Sequence, residues 1–160
     1  MNEEILKLFI KYRSSGVLID TNILLLFIVG SLNPDLISTT SRTASFTFRD
    51  FQIVSKAIDF FEVKISTPHI LTEVSNLIGR NVSIGSALGS YIETCTEEFT
   101  QGSALASQEC FPKFDLADTA TYSISKNRFL VITDDGPLYG LLTSQGIDAV
   151  NLATLRRLIS

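Results

Sequence analysis

The residues of this chain best suited to chemistry are acids placed at the edges of apolar runs. Asp20 interrupts GVLIDTNILLLFIVG, Glu73 lies in TPHILTEVSNLIG, Asp118 in FDLADTATYSISKN, and Asp134 and Asp135 close the run FLVITDDGPL. Carboxylates gathered without matching cations repel one another, and their pKa values rise unless something positive binds. Oxygen-only ligands suit Mg2+ or Mn2+, and such sites commonly activate water for phosphodiester hydrolysis. Whether these acids meet depends on the elements that carry them.

Each acid also has an ordinary structural explanation. Asp20 could cap a helix, although Thr21 and Asn22 are competent caps themselves and make it redundant in that role. Glu73 falls on a helix with Thr67 as cap, Pro68 in the first turn and Gly79 past the end. On that helix Ile70, Leu71, Val74, Leu77 and Ile78 span an arc of about 120°, and Glu73 lies about 40° outside it beside Leu77, at the rim of the buried face. Asp118 stands in the first turn of a helix, where an acid complements the dipole, off a stripe made by Leu116, Ala117, Ala120 and Ile124. Asp115 reads as the cap that starts this helix and ranks below Asp118. An Asp before Gly136 is explained by a turn, but two adjacent acids exceed what a turn requires. Thr133 is placed to hydrogen-bond an acid or a water beside them.

The surrounding pattern alternates short β-branched runs with helical periodicity. Strands are expected at 16–20, 63–66, 129–133 and 147–151. Helices are expected from about 22 and near 49–61, 68–78, 84–99, 115–126 and 136–144, with an amphipathic helix before the first strand and another after the last. Strands separated by helices imply a parallel sheet with right-handed crossovers and helices on both faces. In such sheets the ligand crevice lies outside the carboxyl ends of the strands. All four acidic positions fall there or on early helical turns, so a parallel sheet brings them to one edge.

At 160 residues the chain is expected to form one domain, residues 1–160. Its longest apolar run, the seven residues Ile23–Val29, is far short of the roughly 20 needed for a membrane span. The stretch MNEEILKLFIKYR reads as an amphipathic helix rather than an export leader, so the cytoplasm is the expected compartment, and Cys95 and Cys110 are expected to be free thiols. A formal net charge of −4 argues against a strongly basic nucleic-acid binder but not against a nuclease whose own site is acidic. Seven of the ten residues of STTSRTASFT, 38–47, are Ser or Thr, which reads as a solvated loop, with Arg42 and Arg49 available to phosphates.

Taken in order, LIDTNILLLF, TPHILTEVSNLIG, DLADTATYSI and LVITDDGPL resemble the PIN-domain family of nucleases over nearly the whole chain. The resemblance implies a three-layer α/β/α sandwich around a parallel sheet of four to five strands. It also implies a Mg2+ or Mn2+ site of three or four acids and endonucleolytic cleavage of single-stranded RNA. Carried over by motif, Asp20, Glu73, Asp118 and Asp135 are the catalytic metal ligands, Asn22 and Thr133 support them, and Asp134 is a substitute for Asp135. Homodimers and pairing with an antitoxin protein occur in the family. This chain is longer than the compact toxins, so a stand-alone nuclease is as compatible with it as a toxin.

Competing chemistries fare worse on the residues. Haloacid-dehalogenase-like phosphatases need a second Asp where Asn22 stands. A calcium loop beginning at Asp20 would place Leu24, Leu26, Ile28 and Ser31 at ligand positions. Response regulators carry their acid pair near the N-terminus. Ser-His-Asp catalysis would have to use His69, the sole histidine, which reads as a polar surface or capping residue. The alternative of a different class is a non-catalytic module of the same fold that pairs with a protein or holds RNA uncut.

Overall fold

The apolar runs are too continuous for one-faced strands. Val17, Leu18 and Ile19 are all fully buried, as are Leu130, Val131 and Ile132, the signature of a parallel sheet covered on both faces. The computed structural model describes residues 2–158. Five strands, β1 (Val17–Ile19), β2 (Lys64–Ser66), β3 (Thr96–Glu97), β4 (Leu130–Thr133) and β5 (Ala149–Asn151), form one sheet in the order β3-β2-β1-β4-β5. Every pairing is parallel. The helices are α1 (Glu3–Tyr12), α2 (Thr21–Leu32), α3 (Phe48–Asp59), α4 (Pro68–Ile78), α5 (Val82–Thr94), α6 (Gly102–Ala106), α7 (Leu116–Ser125), α8 (Gly136–Ser144) and α9 (Leu152–Leu158). The result is the expected α/β/α sandwich, with five strands.

The central helix explains the chain's most apolar run. In α2 the residues Ile23–Leu26, Ile28 and Val29 are buried, so the helix is apolar nearly all round, as a helix enclosed by its neighbours must be. It packs against α3, α4, α5 and β4. Gly30 lets α3 approach closely, because a Cβ there would stand 2.3 Å from the Phe51 ring. Helices α7 and α8 pack on β4, and α8 also on β5. Among the described residues no helix is long and apolar enough to cross a membrane, and neither cysteine forms a disulfide.

Three expectations need correction, and one short helix was not foreseen. The helix expected at 84–99 stops at Thr94, and the short edge strand β3 follows; two paired residues are too few to leave a periodic signal. Helix α6 is also too short to announce itself. Leu116 does not belong to the buried stripe of α7: it is 39% exposed, and the buried face instead uses Thr119, Thr121 and Ser125 beside Ala117, Ala120 and Ile124. The Ser/Thr-rich loop is not wholly solvated, because Thr43 and Phe46 are buried and the Thr43 hydroxyl donates to the Ile37 carbonyl at 2.8 Å.

β1 lies at the centre, with β2 on one side and β4 on the other. The chain leaves β1 in one direction and returns to its opposite side, which makes the β1/β4 junction the topological switch point where α/β sheets bind ligands. Ile19 pairs with Ile132, so the residues that follow, Asp20 just past β1 and Thr133 at the end of β4, lie side by side.

Candidate functional site

At that junction Asp20 begins α2. Its backbone is extended, its Oδ1 accepts from the Thr21 amide at 2.8 Å, and its Oδ2 accepts from the Thr133 hydroxyl at 2.6 Å. Asp20 is therefore the N-cap, not a redundant neighbour of one. Thr21 cannot take that role because it is already inside the helix, with its hydroxyl donating to Glu73 Oε2 at 2.7 Å. One residue thus serves both the helix start and the acidic edge. Burial lifts the Asp20 carboxyl to about 6, against the pull of Thr133 and Thr21, and the nearby Asp134 and Asp135 add to the rise.

The other acids converge on the same place. A cavity of about 330 Å3 is lined by Asp20, Thr21, Asn22, Glu73, Asn76, Leu77, Asp115, Asp118 and Asp135. Five of these nine are carboxylates and none is Lys or Arg. Glu73 reaches the cavity from the half-buried rim of α4, whose start is capped by Thr67 at 3.1 Å from the Ile70 amide. Its carboxyl is raised chiefly by burial, partly offset by the Thr21 hydroxyl, with Asp115 adding to the rise. Asp118 follows its cap Asp115, whose Oδ1 accepts the Asp118 amide at 2.9 Å. Asp118 is pushed up to about 8, first by burial and then by the charges of Asp115, Asp20, Asp135 and Glu73. No hydrogen bond or ion pair offsets it among the described residues.

Asp135 caps α8, its Oδ1 accepting from the Leu138 amide at 2.8 Å. Thr133 was expected as the hydroxyl partner of this acid. It accepts the Asp135 amide at 3.0 Å but donates its proton to Asp20, so it ties β4 to the first acid of the site. Asp134 is half-buried, is not among the residues lining the cavity, and keeps a buried Oδ1 without a hydrogen-bond partner. Burial raises its carboxyl, while Asn22 and the charge of Arg156 pull the other way.

Two lining residues were not singled out from the sequence. Asn76 lies three residues after Glu73 on α4, a spacing that puts both on one helix face. Thr21 looked like a cap and acts as a brace for Glu73. The geometry also limits what the site does as it stands: among the described residues, no group of three or more His, Cys, Asp or Glu side chains is drawn together closely enough to hold a metal ion. The donor set nevertheless fits a hard divalent cation in chemistry. It offers only oxygen ligands, their charges are uncompensated, and each hydrogen bond uses one lone pair and leaves others free. Holding an ion requires these side chains to draw inward. Comparison with protein-family models, with curated proteins and with solved structures finds no match to this chain.

Proposed function

We propose that the protein is a Mg2+- or Mn2+-dependent endoribonuclease of the PIN-domain kind, hydrolysing phosphodiester bonds of single-stranded RNA. The observation that carries this reading is the meeting of Asp20, Glu73, Asp118 and Asp135, from four separate segments, in one cavity without a cationic side chain. Structural carboxylates are normally paired; four unpaired ones at the ligand-binding edge of a parallel sheet have an electrostatic cost that a bound cation removes.

In this reading the four acids hold the ion, and Asn22 and Thr133 orient them. A bound Mg2+ or Mn2+ supplies a water activated for attack and offsets the charge that builds on the phosphate oxygens. Thr133 fixes one oxygen of Asp20 and the Thr21 amide fixes the other, which leaves the outward lone pairs to face the cavity. The Thr21 hydroxyl holds one oxygen of Glu73. No histidine base is needed, and His69 lies outside the lining of this cavity. A cytoplasmic setting and a homodimer belong to the same proposal, with the chain either a stand-alone nuclease or the toxin of a pair whose antitoxin blocks the cavity.

The lack of a ready-made three-ligand cluster favours a second reading, a non-catalytic module of this fold that binds protein or RNA. Calorimetric titration with Mn2+, paired with incubation of labelled single-stranded RNA, separates the two. Stoichiometric binding and endonucleolytic products support the nuclease. A protein that takes up no Mn2+ and leaves every RNA intact leaves the binding module.

A further inference from the structure

A second cavity, of about 520 Å3, adjoins the acidic one and shares Glu73 and Asp115 with it. Its other walls are Pro68, His69 and Thr72 of α4, Phe111 of the loop before α7, and Leu116 and Ala117 at the start of α7. The volume lies within the range of about 300–1,000 Å3 usual for small-molecule sites. The fold makes little use of these groups. Leu116 is 39% exposed in the first turn of its helix, Phe111 is half-buried in a loop, and the buried His69 Nδ1 has no hydrogen-bond partner among the described residues.

We infer that this cavity receives an unstacked base of the single-stranded substrate, next to the phosphate held over the acids. The inference rests on the nuclease reading for the identity of the strand. The occupant follows from the division of chemistry across the shared wall. One side is a cluster of carboxylates suited to the metal-bound phosphate; the other is apolar, carries two flat rings and has no Lys or Arg among its lining residues to attract a phosphate. A nucleotide divides in the same way, into a charged phosphate and a flat, largely apolar base. Single strands are gripped by stacking bases on aromatic rings, and a base pulled from the stack needs such a receptacle. Phe111 and His69 supply the platform, and Leu116 and Pro68 close round it.

The test uses fluorescence anisotropy in Ca2+ buffer, with a labelled RNA pentamer and its counterparts carrying one abasic spacer at each position in turn. Wild type binds the intact pentamer about tenfold more tightly than the counterpart lacking the base at one particular position, the loss expected for a single stacked base. Phe111→Ala brings that ratio to within twofold, whereas Phe99→Ala, which removes a ring 71% exposed and outside this cavity, keeps it at about tenfold. Circular dichroism melting checks that both variants are folded. Equal binding of intact and abasic pentamers by wild type, or a tenfold ratio that survives Phe111→Ala, overturns the inference and leaves the cavity to a protein partner. Base-dependent binding lost in Phe111→Ala, with no cleavage in Mn2+, overturns the nuclease reading and keeps the base site. Failure to bind any pentamer overturns both.

Discussion

Asp50 and Asp20 are both nearly buried, 4% and 6% exposed, and both hydrogen-bond at the start of a helix, yet their surroundings push them in opposite directions. Asp50 closes a capping box with Thr47 on α3 and receives the Arg156 guanidinium from α9 through two bonds, at 2.7 and 3.0 Å. Its carboxyl is lowered despite its burial. Asp20 receives one hydroxyl and one amide, neither of them charged, and its carboxyl rises to about 6. Away from the acidic edge the pattern of Asp50 recurs: Asp148 takes Lys11 and the Tyr12 hydroxyl, each at 2.7 Å, and is lowered too. Asp50 and Asp148, which tie elements together, each take a cationic side chain, whereas the acids that line the cavity take none. A paired acid stabilises the fold at once, whereas carboxylates crowded without a cation repel one another unless something positive binds.

The largest expected effect comes from removing charge at the unpaired acid. Asp20→Asn keeps the shape and loses the carboxylate, so Mn2+-dependent RNA cleavage should fall on the order of a thousandfold. Unchanged cleavage in a kinetic assay would sink the site assignment. The paired acid predicts the opposite kind of damage. Arg156→Ala strands Asp50 without its cation and should cost about 2 kcal/mol in urea unfolding, less than a fully buried pair because Arg156 is half exposed. Because the folded Asp50 carboxyl is lowered, this contribution is present above its ordinary value near 3.8 and fades as pH falls through the folded value. Wild type and variant should therefore converge in strong acid.

A smaller effect probes the brace between the strands. Thr133→Val deletes the hydroxyl that favours ionised Asp20, so the Asp20 carboxyl should rise above about 6. Cleavage at pH 6 should drop roughly tenfold, the scale of losses from residues that orient metal ligands, and recover at higher pH. A uniform loss across the pH profile would mean that Thr133 acts on packing alone.

Much of this contrast was legible before any coordinates. The strands around Asp20 and Asp135 read clearly because fully buried parallel strands leave continuous β-branched runs, and the acids stood out against them. Thr67, Pro68 and Gly79 marked both ends of the helix that carries Glu73. What escaped depended on pairs distant in sequence. Nothing near Thr133 shows that its hydroxyl turns to Asp20, 113 residues away, or that Arg156 reaches Asp50 across 106. Thr21 could not be told from a cap, because capping and bracing ask for the same side chain. The exposure of Leu116 was hidden for a similar reason: helical periodicity ranks faces, and the small Thr119 and Ser125 had replaced it on the buried one.

The smallest effect tests the repulsion among the cavity's acids most directly. Asp118 has a folded value of about 8 against an ordinary value near 3.8, so the native state holds a proton that the unfolded chain has already released. Native protein binds more protons across that window, and the metal-free stability contributed by this group falls as pH rises from about 4 to 8. Asp118→Asn removes the titration while keeping a polar side chain of similar size. In EDTA the variant should match wild type near pH 4 and exceed it at pH 8 by about 1 kcal/mol, after solvent screening of a half-buried group. Thermal melts at the two pH values measure the gap. Mn2+ should reverse the order at pH 8, because a ligand that binds the native state stabilises it in proportion to its affinity, and wild type keeps the fourth carboxylate. If the variant and wild type respond identically to pH without metal, Asp118 is neutralised within the fold, and the cavity's acids are paired as Asp50 is.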